Sequence, residues 1–586
     1  MKFMAFRLLF ATLLAVSTAN SQQIDWQPWS GNVFRKATAE HKLVLLDLEA
    51  VWCHWCHVMD ETTYSNSPVI ALIRKNYIAV RVDQDYRPDL ANRYEDYGWP
   101  ATVIFKWDGT ELAKRRGYIP PAPMASMLQA FIDDPTPGPS VEQEAPATPA
   151  AEAALSRDQV AAMDSEFIHA YDGKLGGWRG VQKFLDWNAL EYCVTEGAAG
   201  DLLTGQMARQ TLTAGLKLID PVWGGVDQYS VDGDWDHPHY EKIMPFQAEN
   251  MRVFSLAASA WHEPKWLTQA EKIRGFLKGF LTSPEGAFYT SQDADLKPGE
   301  QGEQYFALDD AARRKEGVPR VDQHIYAREN GLAITGLAAL YGASGDPGAL
   351  ADARRAAEWV VAHRALPGGG FRHDEADAAG PYLADTLEMG RAFLALYMVT
   401  AERVWLRRAE AAGDFIDAKF RAPVGFATSA TAPMETLPPK PEVDENVTLA
   451  RFANMLARCT GSSAYQSMAG HAMRYLASPT VIKQQGYAVA GILLANREVG
   501  TEPVHITIVG AKDDPGAGAL FAAALRDAPP YTRLEWYDRR EGYLPNADVE
   551  YPALPAAVAF LCANGACSSP MRTPEALAQK LARVGH

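Results

Sequence analysis

Hydrophobic residues in the first 135 positions recur with the periods of strands and helices. Residues 43–48 are almost all apolar, which predicts a buried strand, and Asp108-Gly109 is typical of a hairpin turn. In chain order the pattern predicts strands at 43–48 and 77–83 with a helix at 68–76 between them, a proline turn and strand at 97–105, a return strand at 114–118 and a helix at 123–132. These elements predict a small α/β domain over 22–135.

Beyond residue 154 the hydrophobic residues recur with the period of an α-helix. Amphipathic stretches occur near 155–170, 187–197, 202–218, 245–261, 265–281, 324–343, 347–364, 381–400, 404–419, 445–460 and 463–477. Glycine-aromatic turns such as Gly176-Gly177-Trp178 and Trp223-Gly224-Gly225 recur about every 50–80 residues, which leaves room for two helices and their loops. The spacing predicts a closed toroid of paired helices over 154–500. An open helical solenoid is the alternative.

Two segments flank this helical region. Residues 136–153 are rich in Pro, Ala and Glu and carry little apolar bulk, so they form a predicted linker. Residues 501–586 contain three short strand patterns and two helical ones, which predict a small C-terminal α/β appendage. The whole chain is therefore predicted to be a multidomain protein.

Residues 1–21 have the parts of a secretory signal peptide. Lys2 and Arg7 are basic, residues 8–16 are apolar, and Ala19-Asn20-Ser21 offers small residues for cleavage. The apolar run is too short to cross a bilayer and no later stretch reaches that length, so no transmembrane span is predicted. We expect an exported, soluble protein, periplasmic in a Gram-negative source. An uncleaved N-terminal anchor is the alternative.

Charge and cysteine content narrow the function. The 586 residues carry a formal net charge of −16 without a basic patch, so no nucleic-acid partner is predicted. The six cysteines are too few for a disulfide-stapled scaffold. Cys193 and Cys459 fall singly in helical patterns, typical of buried small hydrophobes. Cys562 and Cys567 are close enough for a local disulfide, for which a structural role is favoured over a second redox pair.

Cys53 and Cys56 carry the strongest chemical signal. They follow the predicted strand 43–48 and begin a helix, whose N-terminus stabilises a thiolate. A redox dithiol at an exposed edge of the domain is therefore predicted. A structural disulfide is one alternative, and half of a zinc site that includes His54 and His57 is another. Zinc needs about four ligands and the chain has no second C-x-x-C, so no metal and no cofactor are predicted.

The order of strand, C-x-x-C helix, strand, X-Pro strand, hairpin and helix resembles that of thioredoxin. The resemblance implies that Pro100 is a cis-proline that aligns a substrate chain. It also implies that Asp47 is a buried acid that relays protons, with Glu49 as a second candidate. Cys53 would attack a substrate disulfide, and Cys56, expected to be the more buried thiol, would resolve the mixed disulfide. A protein disulfide substrate or redox partner is therefore expected.

Motifs along most of the chain resemble one known family. They lie at 53–59, 82–89, 98–100, 224–232, 238–242, 286–295 and 560–570. In combination they resemble the spermatogenesis-associated thioredoxin-like proteins and their bacterial relatives, in which a thioredoxin-like domain precedes a six-hairpin (α/α)6 toroid. The chain departs from the family pattern at 176–185, 243–247 and 328–331, all in the toroid and none in the dithiol domain.

The resemblance also gives hypotheses for the toroid, which in the predicted oxidoreductase would bind a protein partner or a glycan. Six-hairpin toroids are similar to certain glycosidases and sugar epimerases, whose chemistry needs paired carboxylates or an acid–base pair. A carbohydrate-active enzyme is therefore one alternative function, and a redox-inactive binding protein is another. The candidate acid–base residues of the cleft are Asp236, His237, His239, Glu241, Asp293, Asp295, Asp385 and Glu388. The candidates for stacking on sugar rings are Trp178, Trp223 and Trp235. Helix capping is the structural alternative for several of them.

Overall fold

A computed structural model describes residues 23–95, 98–141, 147–377, 379–432, 434, 437–563 and 566–583. The predicted signal peptide lies outside these residues, as does part of the predicted linker. The described helices are α1 (Gly31–Glu40), α2 (His54–Thr62), α3 (Ser67–Asn76), α4 (Pro88–Tyr94), α5 (Pro121–Asp133), α6 (Arg157–His169), α7 (Trp187–Ala198), α8 (Leu202–Ala214), α9 (Met244–Trp261), α10 (Pro264–Phe280), α11 (Glu303–Phe306), α12 (Asp310–Glu316), α13 (Ala327–Ser344), α14 (Pro347–His363), α15 (Leu383–Thr400), α16 (Arg403–Phe420), α17 (Val443–Thr460), α18 (Ser463–Leu476), α19 (Pro479–Gln485), α20 (Ala490–Gly500), α21 (Pro515–Asp527) and α22 (Pro574–Leu581). The described strands are β1 (Leu43–Glu49), β2 (Tyr77–Asp83), β3 (Ala101–Phe105), β4 (Glu111–Arg116), β5 (Tyr229–Ser230), β6 (Pro238–His239), β7 (Lys242–Ile243), β8 (Ser291–Gln292), β9 (Val321–Asp322), β10 (Val504–Val509), β11 (Thr532–Tyr537), β12 (Val558–Ala563) and β13 (Ala566–Cys567).

Strand β1 lies inside a four-stranded sheet of order β2-β1-β3-β4, and most of its side chains are apolar on both faces. It runs parallel to β2 and antiparallel to β3. Val44 and Leu46 join one hydrophobic core, and Leu45 joins a second core with Ile73 of α3. Helix α2 begins shortly after the carboxyl end of β1, and Cys53 is the last residue of the loop between them. The predicted thioredoxin-like α/β domain is confirmed.

Twelve of the described helices form a double ring. The inner helices α7, α9, α13, α15, α17 and α20 contact one another in that order, and α20 returns to α7. Each inner helix also contacts an outer partner: α8, α10, α14, α16, α18 and α6 respectively. The ring is closed, which confirms the predicted (α/α)6 toroid over an open solenoid. Within the described residues, no helix is both long and apolar enough to cross a bilayer.

The glycine-aromatic turns allow loops to lie against the outer helices. Gly225 has a φ of +82°, and a Cβ atom there would lie 2.7 Å from the ring of Phe276 in α10. A residue with a side chain would be strained by both the backbone and this contact. The turn at Gly224-Gly225 therefore requires glycine for close packing.

The C-terminal appendage repeats the topology of the N-terminal sheet. Its strand order is β11-β10-β12-β13, with β10 parallel to β11 and antiparallel to β12. The appendage contacts the last turns of the inner helices. There the Tyr397 hydroxyl donates to Glu535 at 3.3 Å, and Asn454 donates to the Tyr531 hydroxyl at 2.7 Å. A second sheet of thioredoxin-like order therefore covers one end of the ring.

The N-terminal domain covers the other end, where the inner helices begin. Asn92 of α4 donates to Glu445 in the first turn of α17 at 3.0 Å. The Tyr86 hydroxyl donates to the backbone oxygen of Ala376 at 3.1 Å. Leu437, from the loop before α17, is 4 % exposed and packs into the core beneath the N-terminal sheet. The toroid thus completes part of the core of its neighbouring domain.

Candidate functional site

Cys53 is the N-cap residue of α2. Its sulfur accepts a hydrogen bond from the backbone N–H of Cys56 at 3.2 Å. The two cysteines form a disulfide, with their Cα atoms 5.3 Å apart. The partial positive charge of the helix N-terminus lies at Cys53, so it would stabilise a thiolate there after reduction.

A surface of the toroid covers this disulfide. Cys53 and Cys56 are each 3 % exposed, and they share a small apolar cluster with Ile243 of β7 and Trp52. Phe246 in the first turn of α9 packs against the same cluster. The sequence predicts an exposed dithiol in which Cys56 is the more buried thiol. That expectation is wrong for the docked chain, because the toroid buries both sulfurs equally.

Asp47 lies buried on β1, beside Arg81 of the neighbouring strand β2. Arg81 Nε donates to one carboxylate oxygen of Asp47 at 3.0 Å, and the Tyr64 hydroxyl donates to the other at 3.2 Å. Burial raises the pKa of Asp47 to about 6 although Arg81 opposes the shift. Burial and the charge of Asp47 raise the pKa of Glu49 to about 8. Both carboxyls therefore titrate in the range that a proton relay requires.

Pro100 immediately precedes β3, and the Trp99-Pro100 peptide is cis. The backbone oxygen of Pro100 accepts a hydrogen bond from the N–H of Gly117 at 2.8 Å. Trp99 packs against the apolar cluster around the disulfide. The loop that carries Pro100 thus adjoins the dithiol.

Asp295 of the toroid joins two histidines of the dithiol helix. His54 Nδ1 lies 2.8 Å from Asp295 Oδ1, and His57 Nδ1 lies 3.0 Å from Asp295 Oδ2. Burial lowers the pKa of both imidazoles, but the hydrogen bonds to Asp295 and the nearby carboxylates outweigh it and raise that pKa. The pKa of Asp295 is correspondingly lowered despite its burial. Burial raises the pKa of the neighbouring Asp293 to about 7.

A cavity of about 600 Å³ lies within the ring, next to the apolar cluster of the disulfide. Its lining includes Trp52 and Trp99 from the N-terminal domain, Phe246 from the toroid and Tyr531 from the appendage. Its charged lining residues include Glu191, Glu249, Arg252, Arg328, Glu388, Arg391, Arg451 and Glu498. The wall therefore combines aromatic rings with hydrogen-bonding groups of both charges, as sites for polar organic ligands do.

Most carboxylates deep in this cavity are already paired with arginine. Glu191 accepts hydrogen bonds from Arg252 at 2.8 Å and from Arg451 at 2.6 Å. Although burial opposes the shift, these arginines hold the pKa of Glu191 well below its usual range. Glu191 therefore stays ionised and braces the ring, and it is a poor proton donor.

The start of α17 presents a different set of carboxyls, which the sequence analysis missed. Glu442, Asp444 and Glu445 line the cavity within one helical turn. Loss of bulk water and the charge of Glu442 raise the pKa of Asp444 to about 8. Asn188 donates to Asp444 at 3.2 Å. Three carboxyls within four residues at a predicted helix start were the available signal.

Of the cleft residues predicted from sequence, Glu388 lines this cavity, and the others do not fall in its described lining. Trp235 is buried, and its indole N–H donates to the backbone oxygen of Leu175 at 3.0 Å, which is a structural contact. His237 is at the surface, paired with Asp234 at 2.9 Å.

The remaining predicted residues lie nearer the N-terminal domain. His239 stacks on the ring of Tyr229, and its Nδ1 lies 3.7 Å from Glu241. Asp293 and Asp295 face the dithiol helix, as described above. Asp385 is buried and pairs with His373 at 2.9 Å. Glu241, Asp293 and Asp295 thus meet the N-terminal domain instead of the cavity.

The other four cysteines lie apart from the dithiol. Cys562 and Cys567 form a disulfide between β12 and β13. Cys193 and Cys459 are free and buried, and burial raises the pKa of both thiols. Neither free thiol is poised for nucleophilic chemistry.

Comparison with known families agrees with the N-terminal topology. Residues 8–133 match a thioredoxin-like family model described as "Protein of unknown function, DUF255". The N-terminal domain is thioredoxin-like. Its match ends at the last residue of α5, before the toroid begins.

Curated relatives and solved structures are similar to parts of this chain. Spermatogenesis-associated protein 20 of Mus musculus is 27 % identical over 313 residues, which are 47 % of this chain and 39 % of that protein. This confirms the family resemblance, although the chain spans less than half the length of the curated relatives it matches. The cellobiose 2-epimerase of Bacillus thermoamylovorans B4167 is 10 % identical with a TM-score of 0.43, over 55 % of this chain and 87 % of that one. A thioredoxin from Thermus thermophilus is 22 % identical with a TM-score of 0.18, over 19 % of this chain and 88 % of that one.

Proposed function

We propose that this chain is a thiol–disulfide oxidoreductase whose dithiol works at the mouth of the helical ring. The observation that carries the proposal is the Cys53–Cys56 disulfide at the N-terminus of α2 in a thioredoxin-like domain. The buried Asp47, with a pKa near 6, and the adjoining Pro100 loop support it.

The chemistry is thiol–disulfide exchange. The Cys53 thiolate attacks one sulfur of a substrate disulfide, forms a mixed disulfide and releases the first substrate thiolate. Cys56 then attacks Cys53, which restores the Cys53–Cys56 disulfide and releases the second substrate thiol. Two electrons pass to the substrate. The first substrate thiolate takes a proton from solvent, the second takes the proton that Cys56 gives up, and an external dithiol must reduce the enzyme again. Asp47 or Glu49 would hold the proton that Cys56 gives up.

A protein substrate can react only if it reaches the sulfurs of Cys53 and Cys56. Because Ile243 and Phe246 cover the disulfide, a protein substrate requires the N-terminal domain to move away from the toroid. The contacts that would have to break include His54 to Asp295 and Asn92 to Glu445. The docked arrangement therefore protects the dithiol, and the undocked one exposes it.

Redox titration of the full chain tests this proposal. The protein is equilibrated in dithiothreitol buffers of graded potential, the thiols are alkylated, and peptides are resolved by mass spectrometry. We expect Cys53 and Cys56 to titrate together as one reversible two-electron couple. A potential near about −270 mV would mark a reductant, and one near about −120 mV an oxidant.

Cysteine variants show which of the two disulfides, Cys53–Cys56 or Cys562–Cys567, reacts with a substrate. Cys53→Ser should abolish insulin reduction, whereas the double variant Cys562→Ser/Cys567→Ser should retain it. Equal insulin reduction by Cys53→Ser and the unaltered chain would refute the proposal. So would a Cys53–Cys56 bridge that remains closed at every potential while the chain stays folded.

The cavity supports a second function, the binding or conversion of a polar small molecule such as a carbohydrate. Trp52, Trp99 and Trp187 line it and offer faces for stacking, and Asp444 offers a proton at neutral pH. Incubation of the full chain with mono- and disaccharides, followed by chromatography for epimers, isomers and hydrolysis products, tests it. Turnover that disappears in Asp444→Asn and persists in the surface variant Asp236→Asn would support the assignment, and turnover equal in both would refute it.

Export of the chain is a separate proposal, which the signal-like residues 1–21 support. An oxidising compartment would suit the two disulfides. N-terminal sequencing of the protein from its source should begin at Gln22. A chain that retains residues 1–21 in the cytoplasm would contradict it.

A further inference from the structure

A cluster of metal-binding groups lies where the dithiol helix meets the toroid. His57 of α2 and the toroid residues Asp293 and Asp295 each offer a ligand atom, and these atoms lie within 4.8 Å of one another. His57 Nδ1 is 3.0 Å from Asp295 Oδ2, and His57 Nε2 is 3.8 Å from Asp293 Oδ2. Imidazole nitrogen with carboxylate oxygen is a donor set that binds zinc, manganese and iron.

Glu241 independently indicates a ligand at the same place. Its side chain is 4 % exposed, and Oε2 has no hydrogen-bond partner among the described residues. Its charge raises the pKa of both Asp293 and His54, so it lies near this cluster. A buried carboxylate oxygen without a partner is costly, and a cation bound beside it would offset that cost.

The charge balance of the cluster points the same way. In the part of the chain that the structure describes, the ion pairs of Asp293, Asp295 and Glu241 are with histidines only. Buried carboxylates are ordinarily paired with a cation or coordinate a metal. Among the described residues, lysine and arginine take no part in these pairs, so only imidazoles face the three carboxylates.

We propose that His57, Asp293 and Asp295 bind one divalent transition-metal ion across the domain interface, with the Glu241 carboxylate nearby. The sequence predicts no metal, because the zinc site weighed there was built on the two cysteines with His54 and His57. The proposed ligands leave both cysteines free, so the site does not depend on the proposed redox function. His54 donates to Asp295 and orients that carboxylate as a positioning residue. Because ligands come from both domains, the ion would fasten the N-terminal domain to the toroid.

Metal binding to the full chain tests the inference. The protein is stripped with a chelator and dialysed against Zn²⁺ or Mn²⁺ alone, then the bound ion is counted by mass spectrometry and its affinity is measured by calorimetry. We expect one ion per chain. Asp293→Asn and Asp295→Asn should each weaken binding more than tenfold. Asp236→Asn, an exposed aspartate paired with Lys217, is the matched control and should bind as the unaltered chain does.

Three results would overturn the inference: no stoichiometric ion on the unaltered chain, undiminished affinity in both aspartate variants, or loss of the ion only in Cys53→Ser/Cys56→Ser. Anomalous diffraction from zinc-soaked crystals of the unaltered chain covers the case in which the variants do not fold. A peak about 2.0–2.2 Å from His57 and the two aspartates supports the site. A peak elsewhere, or none, refutes it.

Discussion

His373 of the toroid donates a hydrogen bond from Nε2 to the backbone oxygen of Asp85 in the N-terminal domain at 2.7 Å. Its Nδ1 faces Asp385 at 2.9 Å. An imidazole that donates from one nitrogen and faces a carboxylate with the other is suited to the doubly protonated form. Burial disfavours that charge, but Asp385 outweighs it and raises the pKa of His373 to about 9. Docking of the two domains is therefore linked to one proton.

Protection of the disulfide should fall at alkaline pH. Asp385 and Glu329 lie in the toroid with His373, so they raise its pKa whether or not the domains are docked, and only the hydrogen bond to Asp85 is specific to the docked state. Below about pH 9 the doubly protonated imidazole can donate to Asp85 and to Asp385 together, and above it a single ring proton is left for the two. We expect phosphine reduction of Cys53–Cys56 in the full chain to accelerate between about pH 8 and 10.

His373→Gln separates this effect from the titration of other groups. Glu329 and Asp377 also act on His373, and the variant leaves them in place. The variant should be reduced quickly at pH 7 and show a flat profile. Parallel pH profiles for the variant and the unaltered chain would contradict the linkage.

Removal of Ile243 should uncover the dithiol at neutral pH. Ile243 is 5 % exposed and packs in the cluster that covers both sulfurs. Ile→Ala at a buried site costs about 2–5 kcal/mol, which here weakens docking. Disulfide reduction in Ile243→Ala should be at least tenfold faster. Ile482→Ala, in helix α19, should leave the rate unchanged. Equal acceleration in both variants would count against a local effect.

Arg451 should be essential for closure of the ring. From α17 it donates to Glu191 of α7 at 2.6 Å and to Glu498 of α20 at 2.8 Å. Arg451→Ala leaves two buried carboxylates short of a partner, so we expect a loss of about 3–5 kcal/mol in the free energy of unfolding. Denaturant titration followed by circular dichroism measures it. The surface variant Arg314→Ala should change stability by less than about 1 kcal/mol, and a similarly small loss in Arg451→Ala would show that the network is not needed.

Two glycine substitutions should change the free energy of unfolding in opposite directions. Gly225→Ala forces a side chain at a φ of +82° and into the ring of Phe276, and we expect a loss of about 1–3 kcal/mol. Gly275, exposed in helix α10, has open space around it, so Gly275→Ala should stabilise by about 0.5–1 kcal/mol. Thermal unfolding of both variants compares them, and a stabilised Gly225→Ala would disprove the packing argument.

Local patterns predicted the elements well. The strand predicted at 77–83 is observed at Tyr77–Asp83, and the helix predicted at 187–197 is observed at Trp187–Ala198. Each depends on the alternation of its own side chains, so the sequence alone is sufficient. The dithiol was recognisable for the same reason, since its spacing and its place after a strand are local.

Contacts between distant segments were not predictable in this way. His54 and Asp295 are 241 positions apart, and their meeting depends on how two finished surfaces dock. The burial of Cys53 follows from the same docking and leaves no periodic signal. The carboxyls at the start of α17 were visible as a helix start, but their place in the cavity depends on the closure of the ring.

Leu437 completes the core of the N-terminal domain but is synthesised long after that domain. The N-terminal domain leaves the ribosome about 300 residues before this leucine, which at about 5–20 residues per second is a delay of roughly 15–60 s. During that interval its sheet exposes the apolar face that Leu437 later fills, and the Cys53 and Cys56 thiols are open to oxidants and chaperones. Pairing of these two cysteines in the nascent chain is therefore easier than in the finished protein.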